Sequence, residues 1–256
     1  MEKVVTHQYA SNVGLLPLSM LLTKGVYHFK KTFNCRMFYF RVLQYSWMIA
    51  IVSELISTLL QVLVFSLVPF GFFLFRSDKS VSFLRYVGLY KPTPRSVKYA
   101  VVTSLLFVSV GIAMAFIDEG VRETLINPPS VTGKIRAIES KPVALALICI
   151  ISMVKTSFAE EMFFRGFIAK RLIALWGYGI GNGMQSLIFG FVHLLLFWKL
   201  MNPPLLAVLF IFLLSTLAGW VIGMIKEKYA KGSIIPGWIA HASGNAISYT
   251  VIVFLI

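Results

Sequence analysis

Charge is what this 256-residue sequence is short of. Only 13% of its residues are Asp, Glu, Lys or Arg, where a soluble domain carries about a quarter. Acids are scarcest, ten in all, and only Glu54, Glu160 and Glu161 lie inside apolar stretches. The shortage excludes an ordinary soluble domain and a disordered polar chain. Cysteine is nearly absent: Cys35 and Cys149 lie far apart, which excludes a disulfide framework and a cysteine-type metal site. Strict alternation of apolar and polar residues is missing, which argues against a membrane barrel. Internal repeats and low-complexity tracts are also missing. Residues 1–41 are too polar for a cleavable signal peptide, and none is expected.

What is abundant is apolar residues, 58% of the chain, gathered into blocks of the length a helix needs to cross a bilayer. The expected fold is all-α: an integral, multi-pass membrane helix bundle of about seven to eight transmembrane helices. Two regions are expected. Residues 1–41 form a polar and basic N-terminal region with room for one short span or interfacial helix. Residues 42–256 form the helical domain. The formal net charge of +14 would suggest nucleic acid in a soluble protein. Here the basic residues flank apolar blocks, as the positive-inside rule and attraction to anionic lipids require, so membrane lipids are expected partners and nucleic acid is not.

Val42–Phe75 lies between two basic collars. If both collars are cytoplasmic, this block crosses twice, and a tight hairpin turning near Ser57–Gln61 is expected. Tyr99–Ile117 is the next span, followed by a charge-balanced loop, Asp118–Lys141, on the outer side. Pro142–Ile168 returns, and a glycine-rich turn at Trp176–Gly183 follows it. Met184–Leu200, Pro203–Ile225 and Ile234–Ile256 complete the bundle, with Pro236 suited to a first helical turn.

An acid at membrane depth is by default a functional-site hypothesis. Glu160 and Glu161 are adjacent in TSFAEEMFFRGFIAKR, about 100° apart on a helix, and therefore aimed in different directions. Arg165, four residues after Glu161, shares its face and can neutralise it, leaving Glu160 the freer carboxylate. Taken alone, the triplet reads equally well as a charge cluster among headgroups. His193 stands four residues after Phe189 in IFGFVHLLLF, where a lone histidine is more often a packing residue. His241 and Asn245 share a face in PGWIAHASGNAIS, where small neighbours also suit close helix packing. Together the pieces offer chemistry. A carboxylate and a histidine can deprotonate water, and a histidine N–H with an asparagine N–H can hold an oxyanion. Two histidines and a glutamate also make a zinc set, although the single-helix HExxH pattern is absent.

EExxxR (Glu160, Glu161, Arg165), FxxxH (Phe189, His193) and HxxxN (His241, Asn245), in this order on three hydrophobic helices, resemble the CAAX-prenyl-protease and bacteriocin-processing family, also called the Abi family. The resemblance covers Thr156–Asn245. Before it, only hydropathy and the basic GLYK loop, Gly88–Lys91, are similar. The resemblance implies a protease domain whose substrate is a peptide or a prenylated protein, cut near its C-terminus by water. It implies that Glu160 activates the water with help from His193, and that His241 and Asn245 form the oxyanion site. Glu161 and Arg165 would orient the site, and Phe189 would pack or line the substrate path. No metal or other cofactor is implied, with zinc on His193, His241 and Glu160 as the alternative form of the same protease. The active site is expected toward the cytoplasmic side. Rival readings from another class are a non-catalytic bacteriocin-immunity protein and a transporter using the acids as a proton relay.

Overall fold

The computed structural model describes residues 35–76 and 80–256, with the side chains of 35–44 and 46 left aside. The expected short N-terminal span, His7 and His28 lie outside these residues. The chain falls into two units, residues 1–48, of which 35–48 are described, and Ile49–Ile256. Helices are α1 (Cys35–Leu74), α2 (Phe83–Tyr86), α3 (Pro94–Ile117), α4 (Glu119–Ile126), α5 (Val131–Arg136), α6 (Lys141–Ile150), α7 (Ala169–Met201), α8 (Leu205–Lys228) and α9 (Ile235–Phe254). Two π-helical segments, Ile151–Phe158 and Glu161–Ile168, join α6 to α7. No strand occurs among the described residues.

Four helical stretches are long and apolar enough to cross a membrane: Trp47–Leu74, Pro94–Ile117, Lys141–Met201 and Leu205–Lys228. The described chain is thus all-helical, and its length and apolarity are those of an integral membrane protein. Four stretches among the described residues meet that standard, fewer than the seven to eight expected crossings. Three features explain part of the gap. The expected hairpin at Ser57–Gln61 does not form, because α1 runs unbroken through it. Ser-Thr-Leu-Leu-Gln holds no glycine, proline or asparagine to favour a reversal, and charge parity between distant collars does not by itself make a turn. Conversely, the 61 residues of Lys141–Met201 make two rods. α9 is diluted by His241, Ser243 and Asn245, which its neighbours bury or bond rather than expose to lipid.

The reversal between those rods falls at Gly177, with φ 74° and ψ 169°, a region that is essentially glycine-only. Beyond it α7 folds back on the second π segment, so Phe189 meets Phe164 edge to face at 5.0 Å. The expected outer loop 118–141 is instead mostly helical, because Asp118 and Ser130 each cap a short helix with their side chains. α3 begins likewise, with Thr93 accepting from the Ser96 amide and Pro94 in the first turn. Pro236 sits in the first turn of α9, as the sequence suggests.

The helix ends sort into two groups. At one end the Ile234 amide donates to the Gly88 carbonyl at 2.9 Å, and the Tyr90 hydroxyl donates to the Lys231 carbonyl at 2.6 Å. At the other, a methyl on Gly120 would lie 2.9 Å from Pro204, and Arg136 Nη1 donates to the Ile252 carbonyl at 2.7 Å. The first end carries the basic loops and the second carries α4 and α5.

Replacing Gly177 with alanine should lower the thermal midpoint in detergent, with a backbone cost of about 1–3 kcal/mol, whereas Gly179→Ala, which meets open space, should leave it near wild type.

Candidate active site

The site is built on a helix that departs from regular geometry. Between Ile151 and Ile168 the backbone follows the wider i→i+5 pattern, apart from Ala159 and Glu160. π turns inside helices are uncommon and recur at functional sites. The local cause is visible in the polar side chains. Ser152 Oγ donates back to the Ile148 carbonyl at 2.6 Å and Thr156 Oγ1 to the Ile151 carbonyl at 3.0 Å, and such back-bonding competes with the helical ladder. Other helices capture carbonyls of the loosened turns: Trp238 Nε1 donates to Met153 at 2.7 Å and Gln61 Nε2 to Lys155 at 2.9 Å.

Glu160 and Glu161 diverge as adjacent helical residues must. Glu161 and Arg165 are both fully buried, and Arg165 Nη1 stands 3.1 Å from Glu161 Oε1. The guanidinium also lies over the Phe189 ring, 4.1 Å from its centroid, a cation–π contact strengthened by desolvation. His241 Nδ1 reaches the same Glu161 oxygen at 3.3 Å. α9 can come this close because Gly237 lacks a side chain: a methyl there would sit 2.4 Å from Glu161 Oε2.

Glu160 is left facing a cavity. Its Oε2 lies 3.9 Å from His193 Nε2 and 3.9 Å from His241 Nε2. The Oε2 atom makes no hydrogen bond to protein. His193 Nδ1 is 2.9 Å from the Phe189 carbonyl. A carbonyl only accepts, so Nδ1 carries the proton and neutral His193 offers Nε2 as an acceptor. Two acceptors 3.9 Å apart cannot bond directly, but one water donating to both fits that gap. Asn245 Nδ2 donates to Thr156 Oγ1 at 3.0 Å, leaving its second N–H for another acceptor.

The structure therefore brings Glu160, Glu161, Arg165, Phe189, His193 and His241 into contact and places Asn245 one residue away through Thr156. Glu160, Arg165, Phe189, His193, His241 and Asn245 all line one cavity of about 550 Å³. Its walls are mostly apolar, among them Phe107, Phe197 and Leu214, and it extends from Glu160 to Leu125, Val131 and Lys134 at the α4–α5 end.

Three participants escape a reading of the sequence alone. Lys155 pairs with Glu54 at 2.7 Å, which accounts for the remaining intramembrane acid, and Lys155 lines the cavity. Tyr249 lines it too, within the field of Glu160. It falls four residues after Asn245, on the same helical face, the signal that could have found it. Lys226 is buried and pairs with Glu227. As for zinc, no group of three His, Cys, Asp or Glu among the described residues is arranged to hold a metal. His193 and His241 each stand 3.9 Å from the Glu160 oxygen, and His241 is turned to Glu161 through its other nitrogen. The mechanism proposed for the site is carried by these side chains without a metal ion.

Arg165→Met should cost about 3–5 kcal/mol of stability, because it strands the Glu161 charge in a dry interior. The Glu161→Gln/Arg165→Met pair should lose less than that single change, as read from thermal unfolding in detergent.

Comparison with known proteins fits this arrangement. No curated protein and no solved structure matches the chain. A family model does, over a stretch that spans Glu160 to Asn245. Residues 142–247 match the model of the family described as Type II CAAX prenyl endopeptidase Rce1-like, a family of membrane proteases.

Proposed function

We propose that this protein is an intramembrane endopeptidase that hydrolyses a peptide bond near the C-terminus of a peptide or protein, including tails carrying a prenyl chain. The observation that carries this reading is the Glu160 carboxylate, 3.9 Å from two imidazoles in a cavity with apolar walls. Glu160 takes a proton from water while His193 Nε2 holds that water. The oxygen attacks the scissile carbonyl, and its electrons move to the carbonyl oxygen. The free N–H of Asn245 and, in its imidazolium form, Nε2–H of His241 donate to that oxyanion. The proton on Glu160 passes to the departing amine as the tetrahedral centre collapses. Glu161 and Arg165 act by holding His241 and the helix. The apolar walls suit a lipid chain on the substrate.

The test is cleavage of a farnesylated CAAX peptide by the purified protein in lipid vesicles. Glu160→Gln should lower kcat at least about 100-fold with the thermal midpoint retained, and a chelator should leave the wild-type rate unchanged. Full cleavage by Glu160→Gln would sink the mechanism. Chelator-sensitive cleavage restored by zinc would replace it with the zinc form. If wild type leaves this peptide intact, an unbiased peptide library is the next substrate, and a protein inert toward the whole library would belong to the immunity or transport readings.

The sequence places the site toward the cytoplasm because basic loops mark that face. The cavity extends toward the other, α4–α5 end, which favours approach from the opposite face. With a membrane-impermeant thiol reagent on sealed vesicles, in a background with Cys35 and Cys149 replaced, Lys91→Cys should label from the cytoplasmic side and Lys134→Cys from the other. The reverse pattern would restore the cytoplasmic approach.

A further inference from the structure

A second cavity, of about 1020 Å³, lies at the basic end and shares only that end with the catalytic domain's helices. Its lining includes Arg76, Arg85, Lys91, Lys170, Arg171 and Lys231, and no acid occurs among the described residues that line it. Each cation comes from chain the fold holds in place rather than from a loose tail. Lys170 Nζ donates to the Tyr86 carbonyl at 2.7 Å. Arg171 lies 4.6 Å from the Tyr86 ring centroid and 4.1 Å from that of Phe167. Tyr90, between Arg85 and Lys91, is bonded to the Lys231 carbonyl. None of Arg85, Lys91, Lys170, Arg171 or Lys231 has a carboxylate within 4.0 Å among the described residues, and Glu227 is paired with Lys226.

Concentrating like charges in one concavity is unfavourable unless an anion enters it. The surroundings say which kind. Apolar residues beside the cleft face outward: Phe75 is 92% exposed, Leu175 71%, and Leu84 and Trp176 about half. Such residues beside cations mark the level where acyl chains meet headgroups, and tryptophan is enriched there. A soluble phosphate would need no apolar rim, whereas a phospholipid needs both. We propose that this cleft binds the phosphate headgroup of an anionic phospholipid, with the acyl chains lying along the exposed apolar residues of α1 and α7. This inference is independent of the peptidase reading. It bears on the site all the same, because the cleft's floor presses on the catalytic helix: a methyl on Gly166 would lie 2.4 Å from the Val87 carbonyl, and Val87 packs with Met162.

The experiment is native mass spectrometry of the full-length detergent-solubilised protein titrated with phosphatidylglycerol and, separately, phosphatidylcholine of the same chain length. Phosphatidylglycerol should be retained at lower concentrations than phosphatidylcholine. Each cleft cation is worth about fivefold in affinity, so Arg85→Gln/Lys91→Gln should weaken its retention about 25-fold and Lys231→Gln alone about fivefold. Lys98→Gln/Lys199→Gln, which removes the same charge from exposed positions outside the cleft, should retain it as wild type does. Thermal midpoints without lipid should match across the variants, and any variant that unfolds is replaced by the Lys231 one. Equal retention of the two lipids, or equal loss in the control pair, would overturn the proposal. So would displacement of the lipid by glycerol 3-phosphate at equal concentration, which would make the ligand a soluble phosphate.

Discussion

A guanidinium and a carboxylate, both fully buried, meet at 3.1 Å inside the helix bundle. Desolvating either charge alone would be prohibitive, and the pair is tolerated because each charge offsets the other, with Phe189 under the guanidinium and His241 on the shared Glu161 oxygen. Much of the site follows from that constraint. Glu161 uses its charge on Arg165, so the neighbouring Glu160 is left to the cavity. His241 is held through Nδ1 by the same Glu161 oxygen, so its other nitrogen is turned toward Glu160. Phe189 lies under the guanidinium and carries, one turn later, His193. One ion pair thus sets the positions of both histidines against one carboxylate.

The helix that carries the pair is not free to be regular. Its wide turns release carbonyls, and donors from α1 and α9, Gln61 and Trp238, bind two of them. An unsatisfied carbonyl in this environment costs several kcal/mol, so the irregular backbone and its partners on distant helices stand or fall together. The same logic joins Glu54 to Lys155. Helix α1, which carries none of the recognisable motifs, is bound twice to Lys155 of the 151–168 helix, by Gln61 at its carbonyl and by Glu54 at its ammonium.

Charge organises the molecule at its ends as well. The basic end collects cations around one cleft whose floor, the segment before α3, presses against the second π segment. The cavity that holds Glu160 extends the opposite way. Lipid contact at one end and substrate approach at the other would meet on a single helix, 151–168, and that helix is where the backbone departs most from regular geometry.

The sequence by itself determined the class of the protein and singled out the candidates for its reactive groups. Scarce charge and long apolar blocks leave only a membrane helix bundle, and acids and histidines are so rare within those blocks that Glu160, Glu161, His193 and His241 stand out by count. Helical spacing alone paired Arg165 with Glu161 and aligned His241 with Asn245, because those relations lie within one turn. Relations between helices were beyond it. The α1 hairpin failed because charge parity over long distances is a weaker constraint than the local lack of a turn. The π turns, the Glu54–Lys155 pair, Tyr249 and the direction of the cavity depend on which side chain from another helix meets which carbonyl or charge. Only packing in three dimensions decides that, since partners more than ninety residues apart, such as Gln61 and Lys155, share no period in the sequence.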